Sequence, residues 1–185
     1  MGAKQTIPAD GQNLNRMFPG DPAGTFSSRF AKILEKVLYP EADFLMDLHG
    51  GDINEALTPL IFFPAAVPDT LAAKTSAAAA ALSVPYRVAS TSKNGLYSWA
   101  AQCGIPSLLV ERGERGLWSE NEITACKRNI FELMDHLKIK TFSNTAFHQE
   151  EIRQSIYEEA PINGFWYPAV SHAGQKLKQG ASLAP

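Results

Sequence analysis

Asp47 and His49 stand two residues apart at the end of the apolar run "DFLMDLH", just before Gly50-Gly51. In a strand, residues two apart project from the same face. A carboxylate and an imidazole therefore become neighbours at a strand's carboxyl end, where open α/β sheets bind their ligands. An imidazole so placed can ligate a metal through a neutral ring nitrogen while the carboxylate fixes its tautomer. The spacing leaves open the alternative of a core histidine held by a local hydrogen bond.

Glu111 repeats the pattern. The run "IPSLLVERGERG" carries apolar residues into a glutamate, then Arg112 and Gly113. A carboxylate at the end of a buried strand is costly unless it is paired or used. It can act as a general base on water, or it can form an ion pair with Arg112, Arg115 or Arg16. The loop "DGQNLNRMFPG" offers Asn13, Asn15 and Arg16. Arginine grips a carboxylate through two parallel hydrogen bonds, although asparagine is also common in solvated turns.

These groups need strands and helices to position them. "TFSSRFAKILEKVL" reads as an amphipathic helix over 25–38, with Phe26, Phe30, Ile33 and Val37 on one face and Pro40 beyond its end. "DFLMDLH", "PLIFFP" and "PYRVAS" read as strands, and "IPSLLVE" as a central, parallel one. "PDTLAAKTSAAAAALS" is a helix with an alanine-lined face. Ser119 and Glu122 form a capping box ahead of a helix with an apolar stripe of Ile123, Cys126, Ile130, Leu133 and Leu137. Strands alternating with helices predict an α/β fold, a mostly parallel or mixed sheet flanked by helices, over residues 1–140. Residues 141–185 read as a linker followed by part of a small β-domain, with the charged stretch "FHQEEIRQSIYEE" as a solvated helix or linker.

The chain has 185 residues, 45% of them hydrophobic, and a formal net charge of −2, which gives no footprint for nucleic acid. No apolar run reaches the length of about 18 residues that a membrane span needs. Two cysteines, Cys103 and Cys126, make no disulfide framework and suit a reducing, cytoplasmic compartment.

The segments "DGQNLNRMFPG", "DFLMDLHGG" and "GIPSLLVERG", in that order, resemble the succinylglutamate desuccinylase/aspartoacylase family of zinc carboxypeptidase-like hydrolases. The resemblance covers roughly residues 9–125, and "GFWYPAVSHAGQKLKQG" looks like the start of that family's C-terminal β-domain. It implies that His49 is the third zinc ligand and Glu111 the glutamate that activates water. It implies that Asn15 and Arg16 hold the substrate carboxylate, with Tyr97 as a further substrate contact and Asp47 behind His49. The implied reaction is zinc-dependent hydrolysis of the amide in a small N-acylated amino acid or related amine, with an oligomer possible. A peptidase of the carboxypeptidase type and a non-catalytic binding remnant of the same fold are the alternatives.

The sequence departs from the family at two points. The family's first two zinc ligands lie in an H-x-x-E segment upstream of the Asn-Arg loop, and no histidine precedes Asn15 here. A chain truncated at both ends, weakly active or inactive alone, is the expectation. His49 with Asp52, or His148 with Glu151, are the substitutes the sequence offers. Arg112 stands where the family carries an apolar residue. It either pairs with Glu111 and lowers its pKa, or points to the opposite face.

Overall fold

The computed structural model describes residues 6–143, 147–157, 159, 161–165, 167, 169–170 and 172–181. A short 3-10 turn, Leu14–Arg16, precedes helix α1 (Phe26–Leu38) and a second turn, Tyr39–Glu41. Strand β1 (Leu45–His49) leads to β2 (Leu60–Pro64), helix α2 (Asp69–Ala80), β3 (Tyr86–Ser90) and helix α3 (Leu96–Gln102). Strand β4 (Ser107–Glu111), helix α4 (Glu120–His136) and β5 (Glu150–Ile152) complete the order. No helix among the described residues is long and apolar enough to cross a membrane.

The five strands lie in the order β1-β4-β2-β3-β5. β1 and β4 are parallel, β2 and β3 are parallel, and β3 and β5 are parallel. β2 runs antiparallel to β4, so the sheet is mixed, and β4 is not the all-parallel central strand its sequence suggests. The cause is the β1–β2 connection. Parallel strands need a long crossover, usually helical, and residues 50–59 contain no helix. β2 therefore returns in the opposite direction and leaves the slot between the two for β4.

The sheet has two different faces, set by the two-residue period of its strands. One face carries Ile61, Phe63, Leu108 and Val110 into a core with Ala78 and Ala79 of α2 and Leu133 of α4, with Met46 and Leu137 packed against it. Ala78 and Ala79 have no exposed surface, so the alanine face of α2 brings its backbone close to the sheet. The other face carries Asp47, His49, Leu109, Glu111, Phe62 and Val88, and supports α3 and an open cleft.

Two helices differ from their sequence patterns. α4 is capped as expected, with Ser119 Oγ accepting from the Glu122 amide. Its buried side, however, also carries Asn129 and Glu132. In α1 the apolar stripe faces outward: Phe26, Phe30, Ile33 and Val37 are all exposed, and Ser27, Ala31 and Glu35 are buried. The preceding loop selects this orientation. Asp10 accepts from the amide and hydroxyl of Ser27, and Glu35 accepts from the Gly20 amide. Gly20 lies so near α1 that a β-carbon there would come within 2.2 Å of the Lys32 amide nitrogen.

The charged stretch after residue 147 is not a helix. Glu150–Ile152 forms an edge strand on β3, locked by an Arg87–Glu151 ion pair of 2.6 Å. Gln149 anchors it further, donating to the carbonyls of Ala79, Leu82 and Val84. Of the expected small β-domain, residues 158, 160, 166, 168, 171 and 182–185 lie outside the described residues. The described residues after Ile152 contain no strand.

Candidate active site

A cleft of about 850 Å³ opens on the second face of the sheet. Leu109, Phe62 and Val88 line it, with His49 and Glu111 at the ends of two adjacent strands. Asn15 and Arg16, from the first 3-10 turn, line the same cleft, as does Tyr97 of α3. Five of the six sequence candidates thus share one space, and Asp47 sits directly behind His49.

His49 and Glu111 are register partners on β1 and β4. The His49 Nδ1 is 3.5 Å from Glu111 Oε1, and its Nε2 is 3.2 Å from Asp47 Oδ1. The Asp47 hydrogen bond, and then that of Glu111, hold the imidazole proton and push its pKa up to about 10, against the effect of burial. Asp47 keeps a second, buried oxygen, Oδ2, that has no hydrogen-bond partner among the described residues.

Arg112 points away from Glu111. Its Nε donates to Asn129 Oδ1 at 2.8 Å and its guanidinium pairs with Glu122 at 2.9 Å, on the α4 side of the sheet. Strand alternation accounts for this. Of the two readings of Arg112 in the sequence, the opposite-face one holds.

Asn15 has a structural duty. Its amide nitrogen is turned by Asn13, and its Oδ1 accepts from the Leu96 amide at 2.8 Å, at the start of α3. The approach is close: Gly95 has φ +100°, and a β-carbon there would meet Asn15 Oδ1 at 3.0 Å. Asn15 also lines the cleft. Arg16 is exposed and forms no ion pair among the described residues, so its guanidinium is available to an anion. Tyr97 is only 6% exposed, and burial raises its hydroxyl pKa.

Asp52, which the sequence offered only as a substitute partner for His49, lines the cleft after the glycine pair. Other lining residues carried no signal in the sequence: Ser90, Ser92 and Asn94 form a polar wall after β3, Glu55 lies near Asp52, and Ser155 and Tyr157 come from the segment after β5. Only folding brings them together, because no spacing rule links 55, 92 and 157.

The residues present do not complete a zinc site. Catalytic zinc takes three protein ligands and one open position. His49 offers one nitrogen, and among the described residues no group of three His, Cys, Asp or Glu side chains is placed to hold a metal ion. The literal H-x-x-E at His148 is spent elsewhere, since Glu151 pairs with Arg87 and Arg153.

An α/β sheet whose strand ends gather a histidine, a glutamate and an arginine-bearing turn around one open cleft has the arrangement at which such sheets bind ligands. The comparisons specify it further. A family model of the succinylglutamate desuccinylase/aspartoacylase catalytic domain matches residues 1–137, and the chain belongs to that family. The N-alpha-acetyl-L-2,4-diaminobutyric acid deacetylase of Halomonas elongata is 48% identical over 48 residues, which are 26% of this chain and 14% of that protein. A succinylglutamate desuccinylase/aspartoacylase structure from Rhodobacter sphaeroides superposes with a TM-score of 0.85 at 29% identity, over 98% of this chain and 57% of that one. The product-bound ectoine utilization protein EutE of Ruegeria pomeroyi gives a TM-score of 0.74 at 26% identity, over 83% of this chain and 48% of that one. The chain therefore spans about half the length of its solved relatives.

Proposed function

We propose that this chain carries the general base and the carboxylate-binding half of a zinc-dependent deacylase. The substrate is a small N-acyl amino acid or related amine, and the bond cleaved is its amide. The observation that carries this reading is the His49–Glu111 pair at the ends of β1 and β4, sharing one cleft with Arg16.

In this reading Glu111 takes a proton from the attacking water and passes it to the leaving nitrogen, a role worth roughly 10²–10⁴ in rate. Arg16, which forms no ion pair among the described residues, holds the substrate carboxylate, and the Asn15 amide adds a polar contact beside it. Tyr97 closes one wall, and Asp47 orients His49. His49 supplies one zinc donor, and the remaining donors belong to a part of the enzyme outside the described residues. When bound, such an ion contributes Lewis-acid polarisation of the carbonyl.

The Halomonas relative's name makes N-α-acetyl-2,4-diaminobutyrate the first compound to test, and Asp52 and Glu55 in the cleft suit a second amine on the substrate. A cytoplasmic location and a small-molecule partner, rather than nucleic acid or membrane, complete the proposal. The test is a panel of N-acetyl, N-succinyl and N-formyl amino acids, run on the complete enzyme and its Glu111→Gln variant. Turnover of at least one panel member, lost in the variant while zinc stays bound, is expected. Retained turnover in the variant refutes the base assignment. Tight, stoichiometric zinc on the isolated chain in equilibrium dialysis refutes the incomplete-site reading.

A further inference from the structure

Helix α4 places two polar residues on its buried side, where an apolar stripe would otherwise continue. Asn129 has no exposed surface and Glu132 is 2% exposed. Helical spacing puts both on one face with Glu122. That face meets the sheet at two points. Asn129 Oδ1 accepts from Arg112 Nε at 2.8 Å, and Glu122 pairs with the same guanidinium at 2.9 Å. One turn on, Glu132 Oε2 accepts from the Ser83 amide at 2.7 Å and from Asn129 Nδ2 at 2.9 Å. Arg112 directly follows Glu111, and Ser83 lies just ahead of β3. The register brings both to one end of the sheet, since Glu111 is opposite Leu60 and Leu60 opposite Tyr86. The Arg112 amide also donates to the His49 carbonyl.

As a stabiliser this network is poor. Burying polar groups is costly, and Glu132 Oε1 is buried with no hydrogen-bond partner among the described residues. Well-packed apolar residues in place of such a network are often as stable or more so. Apolar contacts, however, carry no direction. A guanidinium held by two acceptors fixes the orientation of the residue that bears it, and the residue so fixed is the chain neighbour of Glu111.

We propose that Asn129, acting through Arg112, is a positioning residue for Glu111, and that Glu132 holds Asn129 in place. The three reach the site from the far side of the sheet and touch nothing in the cleft. The effect on rate rests on the deacylase reading, in which Glu111 is the base. A misplacement of about 1 Å can cost roughly 10²-fold in rate, so a small slip of the β4 end lowers kcat. Substrate binding, which falls to Arg16, is left alone.

The test compares variants of the complete enzyme on whichever panel compound it turns over. Asn129→Leu strands Arg112 Nε, so it is expected to lower the urea midpoint and to lower kcat about tenfold, with KM within about twofold of the parent. Adding Arg112→Met removes the stranded donor. The double variant is expected to regain stability over Asn129→Leu but not kcat, because the pair acts as one unit. Leu137→Ala, which packs against the core beside the network, is expected to lose stability and keep kcat. A kcat that recovers with stability in the double variant, or that falls as far in Leu137→Ala, is the mark of a merely structural role and overturns the proposal. So does a raised KM at unchanged kcat. A second measurement needs no turnover. Hydrogen exchange at the Arg112 amide of the chain itself is expected to be about tenfold faster in Asn129→Leu, with β2 and β3 still protected. Unchanged exchange there overturns the proposal whatever the panel shows. A parent that turns over no panel compound refutes the deacylase reading instead, and the exchange rate then decides whether Asn129 holds the strand ends.

Discussion

His49 and Glu111 form the last register pair of two parallel strands, and their side chains meet at 3.5 Å over the cleft. The pair is held from behind. The Arg112 amide donates to the His49 carbonyl at 3.0 Å, and the Arg112 side chain is gripped by Asn129 and Glu122. A residue on the opposite face thus fastens the ends of both strands to α4.

Arg112→Leu is expected to destabilise the fold although it touches nothing in the cleft. It leaves the fully buried Asn129 Oδ1 without its donor. An unsatisfied buried polar group costs about 1–3 kcal/mol. Urea unfolding of the variant checks this, and a midpoint equal to the parent's contradicts it.

Arg16→Lys keeps the charge but loses the planar two-point grip. In the complete enzyme it is expected to raise KM for an N-acyl amino acid by about tenfold with a smaller change in kcat, since the lost contact is to a part of the substrate that does not react. Steady-state kinetics separate the two. An unchanged KM removes Arg16 from substrate binding.

Asp10 gives a pH dependence of defined sign. Its hydrogen bonds from Ser27 lower its pKa from the ordinary 3.8 to about 2. The folded value lies below the unfolded one, so the charged carboxylate stabilises the fold above the ordinary pKa. That contribution is lost as pH falls through about 2. The gap in urea midpoint between the parent and Asp10→Asn is expected to be largest near neutral pH and to shrink below about pH 4. A gap that does not change with pH contradicts the assignment.

Gln149→Ala is expected to release β5 locally. The Gln149 amide group donates to three carbonyls at the end of α2 and beyond it, while its oxygen accepts from Arg87. Hydrogen exchange at 150–152 should accelerate by about tenfold or more, with α2 and β2 still protected, as expected for a unit that opens by itself. Uniform acceleration across the whole sheet contradicts this.

Much of the frame was legible in the chain. The two-residue period of "DFLMDLH" put Asp47 and His49 on one face, the capping box began α4 at Ser119, and the alanine run specified a close-packed α2. These are local properties, encoded by residues within one or two turns of each other. The orientation of α1 was not legible. Its apolar stripe is stronger than its polar one, yet Asp10 and Gly20, from a loop with no regular structure, select the Ser27–Glu35 side for burial. Nor was β5, because three charged-rich residues have no strand signature until Arg87 and Gln149 meet them.

Local patterning along the chain therefore determined most of the strands and helices, and which side chains share a face of each. Tertiary structure alone decided that His49 lies opposite Glu111 and that Arg16 reaches the same cleft. The physical reason is that register and strand order arise from pairings between segments some sixty residues apart, such as Asp47 with Leu109. Closing such loops costs entropy that only the assembled sheet and core repay, and no periodicity within one segment records which distant partner does so.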